Sequence, residues 1–332
     1  MRWVLHIGAP KTGSTAIQRF LFENRKALLD HGVQYPDVSL RGYGHHDLAF
    51  LLNGAYPKWA TTQPRSLSDL GADLAETVKA GNADTVVLSS ENFYLYPRPV
   101  EFHQLLLASG MRATDQVSIV CYVRRQDQAC ASWYNQTVKA QGNSDSFEMS
   151  LRRDRGLWDY AARLGPWRAE FGPSAVLVRD YEPFTIPPAD VRTDFLDVIG
   201  APRGAFNTSG ARTNERINRD ILDLQRAINR LPLPPSQKRR FHRRLIALTA
   251  STAGSGTFND DPLLSPAQRD ALVQSYATSN REVARTFLGR AELFDPVSAD
   301  EPSAAPWMRR GLTPAKIAVI LKFLLAPAAP PP

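Results

Sequence analysis

Residues 5–15 read LHIGAPKTGST and hold the densest set of groups that could do chemistry. An apolar stretch with β-formers (Trp3, Val4, Leu5, Ile7) breaks at Gly8, Pro10 and Gly13 and runs at once into helix-like sequence from Ser14. A strand, a tight loop and a helix N-terminus in that order offer an oxyanion several backbone N–H groups and the positive end of a helix dipole. The glycines admit it close to the main chain. The stretch therefore asks for a phosphate-like group. A loop built for a nucleoside triphosphate reads G-x-x-x-x-G-K-[ST]. Gly8, Gly13 and Thr15 fit that pattern, but Ser14 stands in the lysine position and the cation has moved to Lys11.

Two more places combine an apolar run with reactive groups at its end. TVVL at 85–88 leads into Ser89, Ser90 and Glu91, and VSIVCYV at 117–123 leads into Arg124 and Arg125. Nearly continuous apolar runs of this length read as strands buried on both faces. A short strand at 33–35 and a further run, AVLV at 175–178, complete the set. Helical spacing fills the intervals, at 14–29, 67–80, 100–108, 126–140, 160–171 and 191–199. Strands alternating with helices predict a parallel sheet with right-handed crossovers, whose ligands bind at the carboxyl edge of the strands. Beyond Gly210 the strand pattern stops. Helices are expected at 214–231, at 236–249, from Ser265 to about 289, and as an amphipathic piece at 314–325. The expected division is an α/β core over 1–210, a helical annex over 211–295, and a Pro/Ala-rich tail over 296–332.

The chain has 332 residues, 43% hydrophobic and 22% charged, the composition of an ordinary soluble protein with a sizeable core. Forty basic against 33 acidic residues give +7, which favours anionic ligands. Only two cysteines occur, Cys121 in an apolar run and Cys130 in a helix, which fits a reducing compartment and no disulfide framework. The first residues enter a strand without the pattern of a signal peptide, and the longest apolar stretch, 317–326, is too short to span a bilayer. A cytoplasmic location is expected.

The PKTGST motif after a first strand, an arginine ending a later strand and a serine eight residues on resemble the sulfotransferases that use 3′-phosphoadenosine 5′-phosphosulfate (PAPS). The likeness is nearest to the Golgi-type carbohydrate sulfotransferases that act on heparan sulfate-like glycans, and to their bacterial relatives. It covers residues 1 to about 181. The resemblance implies a P-loop-type three-layer α/β fold with a central parallel sheet and a C-terminal helical annex. It implies that Pro10, Lys11, Thr12, Gly13, Ser14 and Thr15 hold the 5′-phosphosulfate, and that Arg124 and Ser132 bind the 3′-phosphate. It also implies PAPS as sulfuryl donor, 3′-phosphoadenosine 5′-phosphate (PAP) as product, and no metal. Glu91 stands where many carbohydrate sulfotransferases keep a catalytic glutamate, with His46 and His45 as rivals because some relatives use a histidine base. The family's R-N-P-x-x-R-x-x-S form is altered here, with Arg125 and Gln126 replacing Asn-Pro and Ala129 replacing the second arginine.

The chemistry asks for the same residue types. Sulfuryl transfer builds charge on a leaving phosphate, which a lysine and loop N–H groups stabilise, and the attacking hydroxyl or amine must lose a proton to a base. The expected acceptor is a hydroxyl or amine of a glycan or glycolipid. Two other classes compete: a P-loop kinase or nucleotide hydrolase with an atypical loop, and a basic non-enzymatic module for polyanions. The run from Lys238 to Arg244 reads as a solvated helix face, since its aromatic interleaving is limited to Phe241, and no nucleic acid partner is expected. His6 reads as a satisfied core histidine. The loop at 253–256 is a candidate cover for the nucleotide, and the helix with Lys316 and Lys322 a candidate for peripheral membrane contact at most.

Overall fold

The computed structural model describes residues 1–57, 60–62, 65–185, 188–208, 217–258, 262–295 and 311–326. The apolar runs become neighbours in one sheet: β1 (Arg2–His6), β2 (Val33–Gln34), β3 (Thr85–Ser89), β4 (Gln116–Val123) and β5 (Val176–Asp180). All pairings are parallel and the order is β2-β3-β1-β4-β5, which places β1 in the centre. The helices in chain order are α1 (Ser14–Glu23), α2 (Arg25–Asp30), α3 (His46–Leu52), α4 (Leu67–Gly81), α5 (Asn92–Leu95), α6 (Pro99–Ala108), α7 (Gln126–Ala140), α8 (Phe147–Arg153), α9 (Tyr160–Phe171), α10 (Val191–Ile199), α11 (Arg219–Arg230), α12 (Pro235–Ser251), α13 (Pro266–Gln274), α14 (Ala277–Val283) and α15 (Pro314–Leu325).

Two compact units interleave along the chain. The first comprises Met1–Arg125, Gly156–Gly210 and Tyr276–Pro296, and the second Gln126–Arg155, Ala211–Ser275 and Val297–Pro332. In the first unit successive strand residues face opposite sides of the sheet. Leu5 and Ile7 point into a core with Leu74, Phe102, Leu164 and Trp167, while Val4 points into one with Ile17, Leu21 and Phe195. Helices thus cover both faces, giving the three-layer α/β/α arrangement. Each fully buried aliphatic side chain contributes about 1.5–3 kcal/mol, which is why the runs carry no polar alternation. Among its described residues the second unit is helical. Tyr134 and Val138 of α7 pack with Ile221, Leu245, Leu248 and Ile320. Asn135 adds a two-way bond, its side-chain amide donating to the Ile217 carbonyl at 2.7 Å and its oxygen accepting the Ile217 N–H.

Two long helices expected from periodicity are broken. The first divides at Asn24, whose backbone N–H and side-chain amide both donate to the Phe20 carbonyl, at 3.0 and 2.8 Å. The helix expected from Ser265 divides at Ser275 and Tyr276, where the Ser275 hydroxyl donates to the Leu272 carbonyl at 2.6 Å and Tyr276 takes φ −106° and ψ 7°. Such side-chain bonds offer the backbone an alternative to the helical ladder. The start expected at 214 for the helix that becomes α11 lies outside the described residues.

Candidate active site at the carboxyl edge of the sheet

Beyond His6 the chain stays paired to β4 for three residues, with the Ile7 N–H on the Val120 carbonyl (2.9 Å) and the Ala9 N–H on that of Tyr122 (3.2 Å). It then turns through Gly8 (φ +32°), Lys11 (φ 67°) and Gly13 (φ +82°). The fully buried Thr12 hydroxyl closes the turn by donating to the Ala9 carbonyl at 2.6 Å, so this side chain braces the loop from inside. Gly13 caps α1 without a side-chain hydrogen bond, and no acidic residue stands in the first turn. The Ala16 N–H already donates to the Gly13 carbonyl at 2.9 Å, whereas those of Ser14 and Thr15, at the head of the helix, have no intrahelical carbonyl to reach, and no carboxylate of the helix's first turn offsets its positive end. Pro10 is buried, Lys11 half-buried and Thr15 exposed.

Two buried polar atoms converge on the Gly8 turn. Among the described residues neither Ser14 Oγ nor His6 Nε2 has a hydrogen-bond partner. A Cβ placed at Gly8 would lie 2.4 Å from the first and 2.9 Å from the second. Buried polar side chains are nearly always paired, so two unpaired ones at one glycine call for an explanation, and an oxyanion in the cradle supplies one. His6 is therefore satisfied on one side only: Nδ1 pairs with Ser89 Oγ of β3 at 2.7 Å. Burial lowers its pKa from 6.5 to about 4, against an opposing pull from the Glu91 charge, so the ring is neutral at pH 7. Nothing in an LHIG tetrapeptide distinguishes such a histidine from a core one. The distinction comes from the chain doubling back so that Ser14 meets Gly8.

Glu91 follows β3 on the neighbouring side and is a third exposed, with Oε2 accepting from Gln18 Nε2 of α1 at 2.9 Å and lying 4.0 Å from His46 Nδ1. The two rival histidines separate cleanly. His45 is fully buried; its Nε2–H donates to the Pro36 carbonyl (3.0 Å) and its Nδ1 accepts the Ser89 N–H (3.1 Å). Burial lowers its pKa to about 4. Both ring nitrogens are spent on holding the preceding loop to β3, so His45 is structural and drops out as a base. His46 Nδ1 lies 2.7 Å from Ser90 Oγ and 3.0 Å from the Asn92 side-chain amide. The Asn92 side-chain amide nitrogen can only donate, so Nδ1 accepts and carries no proton, and the Ser90 hydroxyl, which accepts the Asn92 main-chain N–H at 3.1 Å, turns its own proton to Nδ1 as well. That leaves the imidazole proton on Nε2, the tautomer unable to accept a proton there. A Cβ on Gly44 would come within 2.9 Å of both Gln18 Cδ and His46 Nε2, so this glycine makes room for the Gln18, Glu91 and His46 cluster.

On the other side of β1, Arg124 leaves β4 with its Nε–H on Glu182 Oε1 at 2.8 Å and its guanidinium 5.7 Å from the Tyr181 ring centre. Its main-chain N–H reaches the Tyr160 hydroxyl at 3.3 Å. Tyr181 also packs against Gly13, where a Cβ would meet its ring at 2.8 Å. Asp180, at the end of β5 opposite Val123, accepts the Glu182 N–H at 3.1 Å, and burial raises its pKa to about 6. Sequence reading missed Asp180 and Glu182, although the strand-end rule that picked out Glu91 and Arg124 applies equally to AVLVRDYE. Ser132 stands half-buried on α7, in the second unit. Among the described residues no group of three or more His, Cys, Asp or Glu is arranged to hold a metal ion. Cys121 and Cys130 are both buried thiols.

The fold and this edge define a class: a three-layer α/β protein with a glycine-turned loop after its central strand and a carboxylate just past the strand beside it. No protein-family model matches the chain. An uncharacterized protein of Archaeoglobus fulgidus is 25% identical to it over 178 residues, which are 53% of this chain and 47% of the relative. The chain thus spans about half the length of that curated relative. A crystal structure of a sulfotransferase from Alicyclobacillus acidocaldarius is similar at 16% identity and a TM-score of 0.40, over 82% of this chain and 95% of that one. A likeness at that level carries no argument about activity, which has to come from the residues.

Proposed function

We propose that this protein is a sulfotransferase that moves a sulfuryl group from PAPS to a hydroxyl or amine of a glycan or glycolipid. The observation that carries the reading is the convergence of Ser14 Oγ and His6 Nε2, buried and unpartnered, on the Gly8 turn of a loop whose cation stands at position 11. A triphosphate loop sends a lysine from the position that Ser14 fills, and Ser14 points back into the loop instead. The first-turn N–H groups of α1, Ser14 Oγ and Lys11 are the groups that would hold the 5′-phosphosulfate, and Arg124 is the strand-end guanidinium suited to a terminal phosphate.

The acceptor O–H or N–H gives its proton to the Glu91 carboxylate as the acceptor atom bonds to sulfur. The bond from sulfur to the bridging oxygen breaks, and its electrons stay on the 5′-phosphate, where Lys11 and the loop N–H groups stabilise the charge. Glu91 is favoured over His46 because the Ser90 and Asn92 donors occupy His46 Nδ1. The acceptor class rests on the resemblance of the motifs to carbohydrate sulfotransferases. Titration calorimetry tests the donor: PAP should bind at least about tenfold more tightly than ADP or ATP, and Lys11→Gly should weaken PAP by a comparable factor, the size of one lost charge-assisted contact. Equal affinity for the three nucleotides overturns the proposal, and magnesium-dependent ATP turnover would replace it with the kinase or hydrolase reading.

A further inference from the structure

Helix α15 is held firmly yet shows an apolar face to solvent. Its inner side buries Ile320, with Phe323 and Leu324 half-buried against the core of the second unit. At one end Lys316 Nζ donates to Asp220 Oδ2 of α11 at 2.5 Å; at the other Arg244 of α12 donates to the carbonyls of Phe323 and Ala326. The outer arc consists of Pro, Ala, Val, Ile and Leu side chains with the single charge of Lys322. Ile317, Leu321 and Leu325 recur every fourth residue and so form one stripe, at 42%, 50% and 81% exposure. A contiguous apolar face of this kind on a folded surface marks a contact with something else.

The charge around the stripe selects the occupant. Residues 219–259 contain eight Lys and Arg against two acids, Asp220 and Asp223, which pair with Lys316 and Arg226, and residues 302–332 contain four Lys and Arg and no acid. Arg239, Arg240 and Arg243 of α12 are exposed, and α12 carries the Arg244 that ties down α15. A second copy of the chain would set two such positive surfaces against each other, which costs energy. An anionic bilayer answers both features, taking the apolar stripe into the acyl boundary and the basic side chains among its headgroups. The sequence just before the helix, Trp307-Met308-Arg309-Arg310, is of the composition found at membrane interfaces. Twelve helical residues extend about 18 Å, which suits a helix lying flat. Among the described residues no helix is long and apolar enough to cross a membrane.

We propose that the outer face of α15, with the basic α12 beside it, is a docking surface for an anionic lipid bilayer. The inference stands apart from the transfer reading and fails separately from it. The test is flotation of the full chain with vesicles of phosphatidylcholine alone and of phosphatidylcholine mixed equally with phosphatidylglycerol. The protein should float with the mixed vesicles, and added salt should release it. Leu321→Glu and Leu325→Glu should each weaken partition about tenfold or more, because a buried leucine is lost and a like charge gained. Arg239→Gln and Arg240→Gln should each weaken it about fivefold. All four side chains are exposed, and Leu325 so fully that its replacement leaves the fold intact, which an unchanged thermal melt checks. Absence of flotation, or equal flotation of wild type and Leu325→Glu, overturns the proposal. So does light scattering that shows a dimer dissociated by Leu321→Glu, since the face then belongs to a second copy.

Discussion

Acidification should destabilise this protein through its two buried histidines. His6 and His45 are each held neutral, with pKa values lowered by burial from 6.5 to about 4. Between those values the unfolded chain binds a proton that the folded chain refuses, so stability rises with pH across the window. The contribution is complete above 6.5, falls away as pH drops from there to about 4, and is constant below. At pH 5 each histidine costs about 2 kcal/mol relative to pH 7, or about 4 kcal/mol for the pair. Asp180 acts in the opposite sense, because its pKa is raised to about 6 and the folded state gains the proton first. Its partial exposure leaves an offset of about 1 kcal/mol. The net loss of about 3 kcal/mol is a large share of a typical 5–15 kcal/mol stability. Urea unfolding followed by tryptophan fluorescence at pH 7 and pH 5 measures it directly. His6→Asn, whose side-chain amide can still pair with Ser89 Oγ but does not titrate, should reduce the difference by about 2 kcal/mol. A bound anion beside Nε2 favours the protonated ring, so saturating PAP should raise the melting temperature more at pH 5 than at pH 7. Equal stability at the two pH values, or a pH dependence unchanged in His6→Asn, would refute the reasoning.

The remaining predictions concern the edge of the sheet. Glu91→Gln should keep PAP affinity within about twofold by calorimetry while sulfuryl transfer falls by about 10²–10⁴, the range of general-base contributions; His46→Asn, by contrast, should retain measurable transfer. Gly8→Ala should abolish PAP binding, since its Cβ would sit 2.4 Å from Ser14 Oγ, and should cost about 1–3 kcal/mol in urea unfolding from overpacking at positive φ. PAP affinity unchanged in Gly8→Ala would remove the cradle from the argument.

Most of the sheet was legible because buried parallel strands are written as unbroken apolar runs, and β1, β3 and β4 appear where TVVL, VSIVCYV and the first residues place them. The turn between β1 and α1 was legible for a similar reason: glycines and a proline after an apolar run break the strand there. Which histidine does what was illegible. His6, His45 and His46 differ only in what faces each ring nitrogen, and those partners (Ser89, Pro36, Ser90, Asn92) come from segments up to 83 residues away. The breaks at Asn24 and Ser275 were hidden because each depends on a local side-chain bond that competes with helix propensity. The compact units were hidden too, since α7 packs with α11 and α12 while α14 packs with α9, an exchange that follows contacts and not chain order.

The central place of β1 has a consequence for how the molecule comes into being. Its partners on either side begin at Thr85 and Gln116, so β1 has no neighbour until the 83 residues from His6 to Ser89 have been synthesised. The Ser89 bond that orients His6 comes with β3, and the Tyr181 ring that packs against Gly13 arrives later still. Contacts of such sequence separation are slow to form, because loop closure must precede any gain from pairing. The Gly8 turn therefore precedes its partners in the chain and is assembled late, because β4 and β5 must first join the sheet.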